Sequence, residues 1–298
     1  MDDIYEEAMK RIELQSADNR NLALRLLSWI VHAFRPLHLT ELQHAIAIDD
    51  LEPEDRLVSQ DSLTPQDILV DVCAGIVRVD EESGMVRLIH YTTQKYFEEN
   101  SSDHFPRAHH DIGVRCMKYL SLDVFGEGYC PTDKLYERRL EENPLLDYAV
   151  KNGMNHTCEG NEQGAQDAAL GLLLDDVKLS SSSQVLLVGR YKYQKYSQAF
   201  PKKKFNGVHF TAYLGIKDIM IKLLSENSTI NPDARDDYGQ TPLWWAAYRG
   251  HTAVVEALLA TGKVEPDAKD RYGRTPLWWA AYGGHTAVVE LLRPYKRP

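Results

Sequence analysis

Few residues in this chain stand at spacings that could do chemistry. A phosphate-binding loop needs G-x-x-x-x-G-K-[ST], whose backbone amides cradle phosphates while the lysine meets the β- and γ-oxygens. The one Gly-Lys pair, Gly262-Lys263, is followed by Val264. The sequence also has no G-x-S-x-G nucleophile elbow, so no deacylase chemistry is indicated. His109-His110 and the scattered carboxylates show no ligand spacing and read as surface residues. Cys73, Cys116, Cys130 and Cys158 form no C-x-x-C pair and read as reduced thiols, which points to a cytoplasmic protein. The expectation is a chain that is not an enzyme and has no metal site and no cofactor of its own. Two features remain. One is His90, between an apolar run and a helical pattern, and the other is a set of tyrosines and arginines in the last third.

The composition bounds the partners. Lysine and arginine total 34 against 44 acidic residues, a formal charge of −10. That balance disfavours unaided binding to nucleic acid or an anionic membrane. Hydrophobic residues make up 43% and charged residues 26%, the mixture of an ordinary globular protein of two or three domains. No apolar run approaches the ~20 residues of a membrane span, and Met1-Asp2-Asp3 does not open a secretory signal.

The elements that position the tyrosines and arginines are written twice. Residues 232–258 and 266–292 are identical at 22 of 27 positions, with an offset of 34. A period of this size marks a stacked repeat, whose apolar face is buried only by its neighbours. Gly239 and Gly273 supply tight turns. Thr241 and Thr275 are expected to cap a first helix, with Pro242 and Pro276 at its first position. Leu243, Ala246 and Ala247 give that helix one close-packing face. Gly250 stops it, and Val255, Leu258 and Leu259 face inward from a second helix. The pattern Asp-x-x-Gly-x-Thr-Pro-Leu resembles the ankyrin repeat. A worn third copy fits Val208, Ala212, Gly215, Ile219, Leu223 and Leu224, with Asn206-Gly207 in place of the Thr-Pro helix start. The array is expected to be truncated after Leu292 or covered there by something else.

The first hundred residues read as three helices and a hairpin. Residues 4–15 suggest a short connector helix. A stronger helix from Asn21 carries Leu22, Leu26, Trp29, Ile30 and Ala33 and ends at Pro36. Thr40 with Gln43 opens the next, a capping-box pattern, and Thr64-Pro65 opens a third that Gly75 closes. Residues 76–79 and 85–89 follow as strands, completing a winged helix, and a further helix starts near His90. DNA binding is disfavoured here. Between Pro36 and Gly75 only Arg56 is basic against nine acidic residues, and the helix offers Glu41, Gln43 and His44 rather than Arg or Lys.

In the middle, Ile112, Cys116, Met117 and Leu120 suit one amphipathic helix, and Leu145, Leu146, Ala149 and Val150 another. Residues 168–177 read as a buried helix. Residues 155–166 are polar and read as a loop, the expected site of proteolysis. The basic, tyrosine-rich stretch 190–204 reads as a solvated helix or, alternatively, as a single-stranded nucleic-acid contact.

Several short runs together carry a second resemblance: Ile4 to Met9, Leu26-Leu27-Ser28-Trp29-Ile30, Glu41-Leu42-Gln43-His44-Ala45 and Leu88 to Phe97. With Tyr119-Leu120-Ser121, Cys130-Pro131-Thr132-Asp133 and residues 144–149, they resemble fungal NACHT-type switch ATPases, in the winged-helix segment labelled after GPI inositol-deacylase. The resemblance implies a signalling protein whose nucleotide-binding domain lies upstream. It also implies that His90 stands where such proteins touch the β-phosphate of ADP. The fold expected is mainly α: a winged-helix domain with a small β-hairpin (1–100), an α-helical middle region (101–200) and an ankyrin-repeat solenoid (201–298). The function expected is a non-enzymatic protein–protein interaction module, the regulatory part of a switch ATPase lacking its P-loop. The alternative is a subunit or clipped part of an active NTPase.

The five positions that differ between the copies locate the expected partner surface. Asp237/Arg271, Gln240/Arg274 and Arg249/Gly283 fall on the turn or the end of the first helix. The ankyrin resemblance places those positions on the concave binding face. Tyr238, Tyr272, Tyr248 and Tyr282 stand beside them, and tyrosine offers large contact area at low entropic cost. Trp244 and Trp278 replace the histidine usual after Thr-Pro-Leu, which predicts loss of a loop-bracing hydrogen bond. They either pack between repeats or join the binding face.

Overall fold

A computed structural model describes residues 2–51, 55–160, 162–188, 197 and 204–295. The chain divides into two compact units, residues 1–124 with 139–165 and residues 125–138 with 166–298.

In the first unit, α1 (Asp2–Glu13) is part of the core and not a connector, since Ala8, Met9 and Ile12 are buried. Arg11 and Gln15 donate to the carbonyls of Ala74 and Val72 at 2.9 and 2.8 Å. Helix α2 (Ala17–His32) begins ahead of Asn21 because Ser16 caps it, accepting from Asn19 N at 3.3 Å. Past Pro36 the chain makes a short strand, β1 (Leu37–His38), that the sequence reading missed. The cap of α3 (Leu39–Ala47) is His38 rather than Thr40, and Glu41 rather than Gln43 closes the capping box by accepting from His38 N at 2.7 Å. Arg35 holds the same carboxylate with two hydrogen bonds, at 2.9 and 2.6 Å. After α4 (Gln66–Asp71), β2 (Val77–Val79) and β3 (Met85–Leu88) form the expected hairpin, and β1 joins it antiparallel in the order β1-β3-β2. Next come α5 (Tyr91–Glu99), α6 (Ser101–His104) and α7 (Ala108–Leu120). Helix α8 (Asp133–Glu142) falls at the boundary between the units.

Most of the loop expected over residues 155–166 is helix instead: α9 (Leu146–Gly160) covers its first part and α10 (Gln163–Leu174) its last. Two of the polar residues that suggested a loop, His156 and Thr157, are turned inward and buried against α7. Glycine makes that approach possible. A Cβ on Gly153 would lie 2.7 Å from both Cys116 Cβ and Met117 Cε, closer than packed carbon atoms come.

In the second unit, α11 (Asp176–Val188) buries polar side chains around Gln184. The Gln184 amide donates to Cys130 O at 2.9 Å and Ser197 O at 2.8 Å and accepts from Cys130 N at 2.8 Å. Three helix pairs then stack: α12 (Gly207–Leu214) with α13 (Lys217–Glu226), α14 (Pro242–Arg249) with α15 (Thr252–Ala260), and α16 (Pro276–Tyr282) with α17 (Thr286–Leu292). Thr241 and Thr275 cap their helices as expected, and the worn copy is capped too, by Asn206, which accepts from Val208 N and His209 N. Leu243, Ala246, Ala247, Val255 and Leu258 are fully buried, with Val254 rather than Leu259 completing the core. One bond recurs between neighbours. His251 Nε2 reaches Tyr213 O at 3.0 Å, and His285 Nε2 reaches Tyr248 O at 3.1 Å. Gly250 makes room for the second of these with φ +76°; a Cβ there would sit 2.5 Å from His285 Nδ1.

The stretch 190–204 lies almost wholly outside the described residues. Among the described residues no helix is long and apolar enough to cross a membrane, and no group of three or more His, Cys, Asp or Glu is placed to hold a metal ion. All four cysteines are free thiols, and burial pushes the Cys73 thiol up to about 12.

Candidate protein-interaction surface

The turns of the two near-identical copies are each built on a buried aspartate. Asp236 Oδ1 accepts from Tyr238 N at 2.8 Å and Gln240 N at 2.9 Å, and its Oδ2 accepts from Trp245 Nε1 at 3.1 Å. Asp270 repeats the arrangement with Tyr272 N, Arg274 N and Trp279 Nε1 at 2.8, 2.9 and 3.2 Å. Trp244 Nε1 makes no hydrogen bond among the described residues, as expected for that position, and the turn is braced instead by the second tryptophan of each Trp-Trp pair. Burial raises the Asp236 carboxyl to about 6 despite those donors. Burial also acts upward on Asp270, but its donors and Arg274 outweigh it and hold that group below the ordinary carboxylate range.

This frame sets out the candidate residues. Arg271 lies 4.1 Å over the Tyr238 ring and 4.9 Å over Tyr272, and donates to the Tyr272 hydroxyl at 2.7 Å. Arg274 lies over Tyr272, Trp278 and Trp279 at 4.6, 5.4 and 4.4 Å. Adjacent turns are tied by Arg271 N donating to Tyr238 O at 3.0 Å. Tyr238, Arg271, Tyr272 and Arg274 thus form one ladder. Asp237 is exposed on the preceding turn, and Gln240 is half-buried. Arg249 is exposed, 4.8 Å over Tyr213.

The paired aromatics differ between copies in spite of identical sequence. Trp244 is 3% exposed, and its ring stacks on Tyr248 at 5.4 Å and meets Trp279 at 5.0 Å. Trp278 is 44% exposed and Tyr282 73%, stacked on each other at 5.3 Å with planes 8° apart. Trp244 is buried and Tyr248 half-buried where the following helix pair packs on them, and Trp278 and Tyr282 hold the same places on the third helix pair. The sequence reading did not separate these pairs, because position in the stack sets them apart and residue type does not. It also missed Asp236 and Asp270 as organisers. An aspartate nine residues ahead of a tryptophan in both copies was the available signal.

His90 belongs to the first unit. It is exposed at the N-terminus of α5, extended, with no side-chain capping bond, between exposed Ile89 and Tyr91. Glu41, Gln43 and His44 are not displayed on the surface of α3. All three are buried, Gln43 donating to Thr64 O at 2.9 Å and His44 paired with the Tyr119 hydroxyl at 3.1 Å.

The surface reading of His109-His110 is wrong. His110 is buried and His109 half-buried, with Nδ1 of His109 2.8 Å from Nδ1 of fully buried His156. His156 Nε2 is 2.7 Å from the Tyr148 hydroxyl, which accepts from Phe34 N at 3.2 Å. One arrangement satisfies every group: the Tyr148 hydroxyl donates to Nε2 of neutral His156, whose Nδ1–H donates to His109. Burial lowers all three histidines of this cluster, His32, His109 and His156, the last to about 3.

The second unit contains an ankyrin-repeat stack with aromatic and guanidinium groups on its turns and first helices, a construction that points to protein partners. Residues 208–297 match the family described as ankyrin repeats, in three copies. Residues 10–105 match the family described as GPI inositol-deacylase, winged helix domain. No curated protein matches the chain.

Proposed function

We propose that this chain is a non-enzymatic protein-interaction module, the regulatory and recognition part of a NACHT-type switch ATPase, and that partners dock on the turns and first helices of its repeats. The observation that carries the docking surface is the turn built on Asp270, where Arg271 and Arg274 are held over Tyr238, Tyr272 and Trp279 at positions that differ between the two copies. Aromatics grouped with arginine are the composition of interface hot spots. The NACHT context rests on the run Leu88 to Phe97 and on the winged-helix match. The exposed His90 imidazole supports a phosphate contact once a nucleotide-binding core is supplied, and this sequence carries no P-loop of its own.

A photo-crosslinking amino acid placed at Tyr282, and separately at exposed Ile221 on α13, tests the docking surface in cells. Discrete protein adducts are expected from position 282 and none from 221. Adducts from 221 alone would move the binding site elsewhere.

A further inference from the structure

We propose that a cavity of about 390 Å³ in the first unit, between α3, the start of α4 and the end of α8, binds a small organic cation that also carries a carbonyl or hydroxyl oxygen. None of the repeat residues takes part, so this site stands or falls apart from the docking surface proposed above.

The floor of the cavity is the first observation. Gln43 and His44, successive residues of α3, line it although they are only 8% and 4% exposed. His44 Nδ1 is 3.1 Å from the hydroxyl of fully buried Tyr119, and the backbone amide of Leu145 hydrogen-bonds the same hydroxyl. The hydroxyl therefore accepts from Leu145 and donates to Nδ1, which leaves the hydrogen of the imidazole on Nε2. Burial lowers His44 to about 4, so at neutral pH the ring is uncharged and Nε2–H is a fixed donor. Among the described residues that Nε2 has no hydrogen-bond partner. Gln43 presents the complement. Its amide nitrogen donates to Thr64 O at 2.9 Å, and its Oε1 has no partner among the described residues. Neither atom is sealed in the core, so both open to the cavity that their side chains line. Polar atoms held this deep are met by water or by a ligand, and here one donor and one acceptor wait together.

Charge is the second observation. Glu141 and Glu142 stand at the rim in the last turn of α8, where the helix dipole adds to their negative charge. No lysine or arginine lines the cavity, and Glu141 has no cationic partner among the described residues. A concave site of one sign concentrates ligands of the other and repels carboxylates and phosphates.

The third is the wall. Leu63 and Pro144 give it an apolar side, which suits the carbon frame of an organic cation. The volume falls in the range of about 300–1,000 Å³ usual for small-molecule sites. A bare metal ion fits less well, since among the described residues no group of three or more His, Cys, Asp or Glu is placed to hold one.

An NMR fragment screen on the isotopically labelled full chain tests the proposal. The library is sorted into amines, neutral amides and carboxylates of matched size, with leucinamide and N-acetyl-leucinamide as the reference pair. Leucinamide, an ammonium beside a carbonyl, is expected to bind saturably and to shift the Gln43 side-chain amide and the His44 ring signals. Its acetylated counterpart is expected to bind roughly tenfold more weakly, having lost the charge. Glu141→Gln is expected to weaken leucinamide by roughly three- to tenfold, and Glu137→Gln, an exposed change on the same helix, to leave it unaltered. Both substitutions are at the surface, so the fold is retained. No saturable binding by any amine, equal binding by amines and carboxylates, or equal losses in the two variants would overturn the proposal. So would ring-nitrogen shifts that put the His44 hydrogen on Nδ1. Each of those results leaves the interaction reading of the repeats intact.

Discussion

At the scale of single residues, identical side chains do different work in the two copies. Tyr248 is wedged between Trp244 and Trp279, at 5.4 and 5.2 Å, and its carbonyl accepts from His285. Tyr282 leans on Trp278 and meets Trp279 edge-on at 5.7 Å, and it stays 73% exposed. Removing the Tyr248 ring therefore empties a repeat interface, while removing that of Tyr282 empties only surface. Thermal unfolding should show Tyr248→Ala destabilised by about 1–3 kcal/mol, below the range of a fully buried aromatic because Tyr248 is half-buried. Tyr282→Ala should fall within roughly 0.5 kcal/mol of the parent, as surface changes do. Equal melting temperatures for the two variants would contradict the assignment of Tyr248 to the stack.

At the scale of elements, helix existence was legible in the sequence, and helix ends were legible in the repeats but not in the first unit. Apolar spacing located α2, α7, α9 and the repeat helices, because burial of one face is written directly as periodicity. The caps went astray where the capping group was unusual. His38 took the place expected for Thr40, and Trp245 and Trp279 brace turns in place of a histidine. Residues 155–166 misled for a related reason. Buried polar residues satisfied by partners distant in the chain look like loop residues until those partners are known. His156 is the example, bonded to Tyr148 within α9 and to His109 on α7.

That cluster gives the element its own pH dependence. Its folded-state pKa values lie below the ordinary histidine value, so the unfolded chain binds more protons as pH falls below about 6.5. The stability from these neutral histidines is complete above that pH and is lost on acidification. His156, lowered to about 3, accounts for roughly 2 kcal/mol of loss at pH 5 by itself. Denaturant unfolding at pH 7.5 and pH 5 should show the loss, and His156→Gln should reduce it. A stability that does not change across that interval would mean the cluster is already protonated or open to water.

At the scale of the whole molecule, a winged-helix unit and a repeat stack are joined in one chain, and the repeats carry the displayed aromatic and guanidinium groups. The central claim is that the turn and first-helix face of the last repeat binds protein. The most direct measurement is titration calorimetry of an identified partner against the parent chain, Tyr282→Ala and Ile221→Ala, with melting temperatures recorded alongside. Loss of about 1–2 kcal/mol of binding in Tyr282→Ala, with an unchanged melting temperature and an unaffected Ile221→Ala, is the predicted result. Normal binding by Tyr282→Ala, or weakened binding that appears only together with unfolding, would contradict it.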